Sequence, residues 1–198
     1  NVCSQSKPRI ENHMHQAMEY VGSEDCLYMN VWTPSNKGHK DPIEPNSLPV
    51  MVWIHGGGYI RGSGNIKGGV LASTQNVIVV SMNYRLGPFG WLSHPALRAD
   101  AASDEEASGN FGTLDIIESL RWVQKNITEF GGDPNRVTIF GVSAGAWNVF
   151  SLLTSPAAKG LFHGAIAHSG VPRTSTVNYA EKLIDDQDAG HPQSSGEL

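Results

Sequence analysis

Three apolar runs, each the length of a β-strand, constrain most strongly what this chain can fold into. Residues 50–54, 77–82 and 137–142 are almost continuously apolar, which is typical of strands covered on both faces of a parallel sheet. Before the third run, residues 114–130 carry apolar side chains four and three positions apart, which predicts an amphipathic helix. Strands that alternate with helices in this way predict an α/β fold with a parallel sheet and right-handed crossovers.

Weaker patterns complete the expected order of elements. They predict a half-buried strand at 27–33, a helix at 145–154 and a short strand at 164–168. Segments rich in glycine, proline or small acidic residues predict loops at 34–49, 61–69 and 99–110. The polar residues after Pro172 predict no further strand.

The composition excludes several classes of protein. Hydrophobic residues make up 39% of the chain and charged residues 17%, which is too apolar for a disordered chain and too polar for a membrane protein. No apolar run approaches the roughly 20 residues that a membrane-spanning helix needs. The net charge is −5 and the basic residues are dispersed, which argues against a nucleic-acid groove or an anionic membrane surface as a partner.

The most specific motif is Gly141-Val142-Ser143-Ala144-Gly145, which fits G-x-S-x-G and lies between a predicted strand and a predicted helix. That context is the one a nucleophile elbow requires. We expect a strained Ser143 at the sheet edge, with glycines where side chains would collide with the neighbouring strand and helix. The helix N-terminus behind the serine favours developing negative charge. A chance match in a glycine-rich chain is the alternative, and the strand–helix context weighs against it.

A second glycine motif, His55-Gly56-Gly57-Gly58, follows an apolar strand upstream of the serine. An oxyanion hole needs backbone N–H groups that point into open space, and side chains would obstruct them. The alternative is a flexible hairpin. No G-x-G-x-x-G opens a helix and no G-K-[ST] is present, which argues against Rossmann and P-loop sites, so we expect no cofactor.

Histidines and cysteines offer other candidate sites. His13 and His15 form an H-x-H pair, but two ligands without a nearby third are poor grounds for a metal site, and we expect none. Cys3 and Cys26 are the only cysteines; they are either unrelated buried thiols or, in an exported protein, a disulfide. Asn126 begins an N-x-T sequon that falls within the predicted helix.

Several blocks, in the same order along the chain, resemble the type-B carboxylesterases, a family that includes cholinesterases and a group of secreted lipases. The blocks are SEDCLYMNVWTP at 23–34, PVMVWIHGGGY at 49–59, VIVVSMNYRLGPFGWL at 77–92, GNFGTLDIIESLRWVQKNITEFGGDPNRVTIFGVSAGA at 109–146 and FHGAIAHSGVP at 162–172. The resemblance runs from about Cys3 to about Pro172. It implies an α/β-hydrolase fold, with a mostly parallel central sheet and flanking helices.

The same resemblance implies an activity and roles for single residues. The protein would hydrolyse a small-molecule carboxylic ester through an acyl-enzyme, and it would be secreted or periplasmic. The implied residues are Ser143 as the nucleophile, Gly57, Gly58 and Ala144 as oxyanion-hole donors, and Cys3 with Cys26 as a disulfide.

Two residues depart from the family's pattern. The family usually carries Glu immediately before the serine, where this chain has Val142, and the loss of that carboxylate is expected to lower activity or alter substrate preference. The family more often has Gln where His168 stands. Because His168 follows a predicted buried strand, we expect a core or near-core histidine rather than the catalytic base.

The partners of Ser143 cannot be assigned from the pattern. A serine nucleophile needs a base and an acid that orients the base, and in an α/β-hydrolase both follow the serine on later strands. The candidates after Ser143 are Glu181, Asp185, Asp186, Asp188 and Glu197 as acids and His163, His168 and His191 as bases. None follows such a strand. The resemblance therefore implies that residues 1–198 are the N-terminal part of the domain, inactive alone, with the acid and the histidine beyond Leu198.

Two classes of function remain open. One is an esterase; the other is a non-catalytic, esterase-like protein used for binding or adhesion. Family members of the second kind commonly lack the serine, so the presence of Ser143 and of the triple glycine favours the enzyme.

Overall fold

A mostly parallel sheet organises the described part of the chain, which comprises residues 1–11, 15–35, 46–172 and 174–181 of a computed structural model. The strands described there are β1 (Gln5–Glu11), β2 (His15–Val21), β3 (Met29–Trp32), β4 (Leu48–Ile54), β5 (Ile78–Met82), β6 (Gly132–Val142) and β7 (Gly164–His168). The helices are α1 (Gly68–Gln75), α2 (Pro95–Ala99), α3 (Asp104–Ala107), α4 (Phe111–Asn126), α5 (Ala144–Thr154) and α6 (Val177–Glu181).

The strand order β3-β5-β4-β6-β7 defines the sheet. β3 runs antiparallel to β5, and the other neighbouring pairs are parallel. β4 and β6 stay in register up to the pair Ile54↔Gly141, so the carboxyl ends of both strands reach the same edge. This is the edge at which open α/β sheets bind their ligands. The predicted α/β class with a mostly parallel sheet is confirmed.

The central strands are buried, as their apolar runs predict. All residues of β5 are buried, and in β4 Val50, Val52 and Ile54 are fully inaccessible. α4 turns Ile116 and Leu120 into the same core, and both are also fully inaccessible. Burying an aliphatic side chain of this size favours folding by about 1.5–3 kcal/mol. The packing of β4, β5 and α4 therefore stabilises the sheet whose carboxyl edge carries the two glycine motifs.

The main helices agree with the sequence prediction. The helix predicted at 114–130 is α4, followed by one 3-10 turn over Ile127–Phe130. Gly131 ends that turn with φ +84°, a conformation that glycine adopts without strain. α5 begins one residue before the predicted start. None of the helices in the described ranges is long and apolar enough to cross a membrane.

Three segments differ from the prediction. The glycine-rich segment 61–69 is not a loop throughout, because α1 begins at Gly68, where a Cβ would lie 2.5 Å from the Trp32 ring. The predicted surface loop at 99–110 contains α3. The start of the chain, for which no element is predicted above, forms an antiparallel hairpin, β1–β2, with Gln5 opposite Val21.

A disulfide ties this hairpin to the sheet. Cys3 and Cys26 are bonded to each other, and both are almost fully buried. The bond joins the residues just before β1 to the segment that leads into β3. The pairing implied by the family resemblance is confirmed.

Candidate active site

Ser143 occupies a sharp turn between β6 and α5. Its φ is 56° and its ψ is −121°, a left-handed conformation that is strained for a residue with a side chain. The Ser143 N–H donates to the His168 carbonyl at 2.9 Å, and the Ser143 carbonyl accepts from the Trp147 N–H at 3.0 Å. The surrounding hydrogen bonds hold the strained serine in place, at the carboxyl edge of the sheet.

Glycines on both sides of the serine allow this turn. A Cβ on Gly141 would lie 2.6 Å from the Gly145 carbonyl oxygen, and a Cβ on Gly145 would overlap the Ile54 carbonyl oxygen. Those atoms are backbone and cannot rotate away. The expectation of a strained serine flanked by obligatory glycines is therefore confirmed.

The glycine motif after β4 packs directly against this turn. A Cβ on Gly56 would lie 2.6 Å from the Val142 carbonyl oxygen and 3.4 Å from the Ser143 Cβ. Gly57 and Gly58 have φ values of 117° and 65°, so both use conformations that favour glycine. The structure thus brings the two sequence motifs together at one edge of the sheet.

The buried side chain of His55 contacts the backbone of the glycine motif. The His55 ring is within hydrogen-bond distance of the Gly56 carbonyl, with Nδ1 at 2.8 Å. Because a carbonyl only accepts, Nδ1 carries the proton. The ring stacks on Tyr84 at 4.1 Å between centroids, and the Tyr84 hydroxyl donates to the His55 carbonyl. Burial lowers the pKa of His55 below its ordinary value of 6.5 and raises that of Tyr84, so both side chains are neutral supports.

The sequence pattern predicts no supporting role for the side chains of His55 and Tyr84. Both stand at the ends of predicted strands, inside blocks that carry the family resemblance. A polar side chain at the end of a buried strand was the available signal for His55. The stacking between the two rings is a contact between distant segments, which one sequence does not reveal.

An aromatic cluster lies beside the glycine motif. The Tyr59 ring is 4.0 Å from that of Trp91 and 5.4 Å from that of Trp147, between centroids. Burial raises the pKa of the Tyr59 hydroxyl to about 12, so it stays protonated near neutral pH. We define Tyr59, Trp91 and Trp147 as the aromatic wall, an uncharged cluster beside the glycine motif.

Within the described residues the His168 side chain is exposed, because β7 has a described neighbour, β6, on one side only and four of its five residues are exposed. The expectation of a core or near-core histidine concerns the whole domain and stays a prediction. In the register of β6 and β7, His168 pairs with Val142. Val142 and His168, the two departures from the family pattern, therefore lie side by side on adjacent strands, and Val142 directly precedes Ser143.

The other described candidates are engaged elsewhere. His163 Nδ1 accepts from the Val137 N–H at 3.3 Å, which places His163 at the start of β7, five residues along β6 from Val142. Glu181 pairs with Arg98 at 2.6 Å. Within the described residues, no hydrogen bond joins the Ser143 hydroxyl to a histidine or a carboxylate. Asp185, Asp186, Asp188, His191 and Glu197 lie outside the described residues.

The described residues include no group of three His, Cys, Asp or Glu side chains placed to hold a metal ion. His13, half of the H-x-H pair, lies outside the described residues. Asn126, the sequon residue, donates from its amide to the Trp122 carbonyl at 2.8 Å and closes the end of α4.

The sequence matches the model of the Carboxylesterase family over residues 1–187. Among characterised relatives, it is 51% identical over 150 residues to Pyrethroid hydrolase Ces2a of Mus musculus, covering 75% of this chain and 25% of that protein. It is 50% identical over 150 residues to Cocaine esterase of Homo sapiens, covering 75% of this chain and 24% of that protein.

Solved structures give the same result. A thermophilic PNB esterase matches with a TM-score of 0.69 and 48% sequence identity, covering 79% of this chain and 30% of that chain. The present chain therefore spans about a quarter of the length of the relatives named above and about a third of the similar solved structure.

Proposed function

The chain belongs to the carboxylesterase family, and on that basis we propose that residues 1–198 carry the nucleophile and the oxyanion hole of a serine carboxylic-ester hydrolase. The observation that supports this proposal most strongly is the contact between the two motifs. Ser143 holds a left-handed backbone at the sheet edge, and Gly56 packs directly on it. One motif offers an attacking oxygen, and the other offers backbone N–H groups beside it.

In the proposed reaction, the Ser143 Oγ attacks the carbonyl carbon of the ester while its proton passes to a histidine base supplied from outside residues 1–198. The carbonyl oxygen becomes an oxyanion. When the tetrahedral intermediate collapses, the base returns the proton to the departing alcohol and an acyl-enzyme remains. Water, deprotonated by the same base, then releases the carboxylic acid and regenerates Ser143.

The proposed oxyanion hole is formed by the N–H groups of Gly57, Gly58 and Ala144. Backbone donors fit this role because they are fixed before the charge develops. Ala144 is the first residue of α5, where the helix dipole also favours negative charge. Removal of one such donor typically lowers kcat about 10²–10³-fold.

We propose a small-molecule ester with an uncharged apolar part as the substrate class. The aromatic wall offers half-buried rings next to Gly58, and such rings bind apolar groups without a charge partner. Pyrethroid and cocaine appear in the names of the relatives.

We also propose that the protein works outside the cytosol, in a secreted or periplasmic location. Cys3 and Cys26 form a disulfide, and both residues are buried. Structural disulfides persist in oxidising compartments and are rare in the cytosol of mesophiles.

A fluorophosphonate probe tests the function directly. It phosphonylates an activated serine and leaves ordinary serines unmodified. We expect the intact protein to be labelled at Ser143, with no labelling of Ser143→Ala. Absence of labelling in folded intact protein would overturn the proposal and would favour the non-catalytic binding or adhesion role.

A further inference from the structure

The side chain of Gln5 clamps a backbone segment that lies behind the proposed oxyanion hole. Its Nε2 donates to the Gly62 carbonyl at 3.1 Å, and its Oε1 accepts from the Gly62 N–H at 2.9 Å. The same Nε2 also donates to the Cys3 carbonyl at 3.1 Å. One amide thus holds both polar groups of Gly62 and links them to a cysteine of the disulfide.

Gly62 in turn packs against the glycine motif without a gap. A Cβ on Gly62 would lie 2.5 Å from the Gly56 carbonyl oxygen and 2.8 Å from Cε1 of the His55 ring. The preceding residue, Arg61, donates its N–H to the Gly57 carbonyl at 3.2 Å, and the Arg61 carbonyl fills the space that a Gly57 side chain would need. The position of residues 61 and 62 therefore limits where Gly56 and Gly57 can lie.

A second amide repeats the arrangement two residues further on. Asn83 accepts from the Gly64 N–H at 2.8 Å and donates to the Cys26 carbonyl at 2.9 Å. The Gly64 carbonyl accepts from the Ser81 hydroxyl at 2.5 Å. Both half-cystines are therefore connected by one amide side chain each to the segment 62–64, which backs the glycine motif.

We propose that Gln5 is a positioning residue for the oxyanion hole. It transmits the fixed position of the disulfide-bonded N-terminal segment to Gly62, and through Gly62 to Gly56 and Gly57. This inference rests on the proposed ester hydrolysis, because it assigns a cause to the geometry of the N–H donors in that reaction.

The role predicts a specific kinetic signature. Oxyanion donors act mainly on the negative oxygen of the transition state and much less on the neutral ester. A misplacement of about 1 Å far from the chemistry can lower the rate about 10²-fold. We expect Gln5→Met, which keeps the length of the side chain and removes all three hydrogen bonds, to lower kcat about 10–100-fold while KM changes less than about 3-fold.

The chain offers a matched control in Gln124. Its Nε2 also donates to two backbone carbonyls, those of Pro134 at 2.8 Å and Leu161 at 3.0 Å. Pro134 lies near the start of β6, and Leu161 lies three residues before β7. Both carbonyls are therefore at the opposite end of these strands from Ser143. Gln124→Met therefore removes a comparable set of hydrogen bonds without touching the glycine motif.

The experiment compares Gln5→Met, Gln124→Met and Ser143→Ala in the intact protein. The readouts are kcat and KM for a p-nitrophenyl ester, the inhibition constant of a trifluoromethyl ketone, and the midpoint of urea unfolding. The ketone forms an oxyanion with the serine, so its affinity is expected to fall in parallel with kcat in Gln5→Met. Gln124→Met is expected to shift the unfolding midpoint by a similar amount and to leave kcat and ketone affinity within about 2-fold of the wild type.

Equal kinetic constants in the two glutamine variants, with Ser143→Ala inactive, would overturn this inference alone. Full activity in Ser143→Ala would overturn the proposed function and this inference with it. If Gln5→Met does not fold, Gln5→Glu decides between the same outcomes, since its carboxylate keeps the acceptor for the Gly62 N–H and loses both donor bonds.

Discussion

A methyl group on Gly145 would meet backbone that cannot move aside, so Gly145→Ala tests the packing that holds Ser143. The alanine Cβ would overlap the Ile54 carbonyl oxygen and lie 2.9 Å from the His55 carbonyl oxygen. A clash with the end of a flexible side chain is relieved by rotation. Here the turn itself must shift away from the end of β4.

Two opposing effects set the expected free energy. Overpacking a filled site costs about 1–3 kcal/mol, and a clash with backbone belongs at the upper end of that range. Alanine in place of glycine within a helix favours folding by up to about 1 kcal/mol, and Gly145 is the second residue of α5. The net expectation is a loss of about 2 kcal/mol in the free energy of unfolding. Because Ser143 moves with the turn, kcat is expected to fall about 10²-fold.

Urea unfolding and ester hydrolysis by the intact protein measure both effects, with Gly69→Ala as the control. Gly69 lies in α1, and a Cβ there would make an ordinary contact of 3.4 Å with the Trp32 ring. That variant is expected to gain about 0.5–1 kcal/mol. If Gly145→Ala gains stability as Gly69→Ala does, the reasoning about the turn is refuted.

Three further predictions concern charge. Asp115 accepts from the Arg85 backbone N–H at 3.0 Å and from two guanidinium nitrogens at 2.8 and 2.7 Å, so Asp115→Asn is expected to cost about 2 kcal/mol in urea unfolding. Glu118→Gln, which breaks an exposed pair with Arg121, should stay within about 0.5 kcal/mol, and equal losses in the two variants would contradict this account. Because burial lowers the pKa of His55 from 6.5, the unfolded chain binds a proton below that pH that the folded chain does not. The free energy of unfolding is therefore expected to fall as the pH drops below 6.5, by up to about 1.4 kcal/mol per pH unit. A folded His55→Gln should show a shallower dependence of this free energy on pH, measured by unfolding from about pH 7 to about pH 5. An unchanged slope would show that His55 is not the cause. Val142→Glu is expected to raise kcat/KM for at least one simple ester by stabilising the protonated base, and the half-exposed position opposite His168 lowers the cost of the added charge. Unchanged or lower kcat/KM at equal folded fraction would count against that expectation.

The elements that the sequence predicts best are those whose pattern is local and repeated. β4, β5 and α4 follow from continuous apolar runs and a helical period, because each element buries its own apolar side chains. α1 was missed because it opens with two glycines. Gly68 is required there by the Trp32 ring, a contact between segments far apart in the chain.

The candidate site likewise contains residues that a local pattern predicts and residues whose role depends on contacts between distant segments. Ser143 and the triple glycine are predictable because a strand, a turn and a helix in sequence define the elbow. Gln5 and Tyr84 support the glycine motif from distant segments, and their partners become visible only in three dimensions. His168 lies on β7, which has a described neighbour on one side only, so its burial in the whole domain stays a prediction.

Rapid acid quench of the intact protein during turnover of p-nitrophenyl acetate tests the central claim most directly. Mass spectrometry of the digested protein would locate the acyl group. The account predicts one acetyl group on the peptide that contains Ser143, formed at the rate of the p-nitrophenol burst and absent from Ser143→Ala. Turnover without an acetylated Ser143 peptide, or with the acetyl group on another residue, would contradict the account.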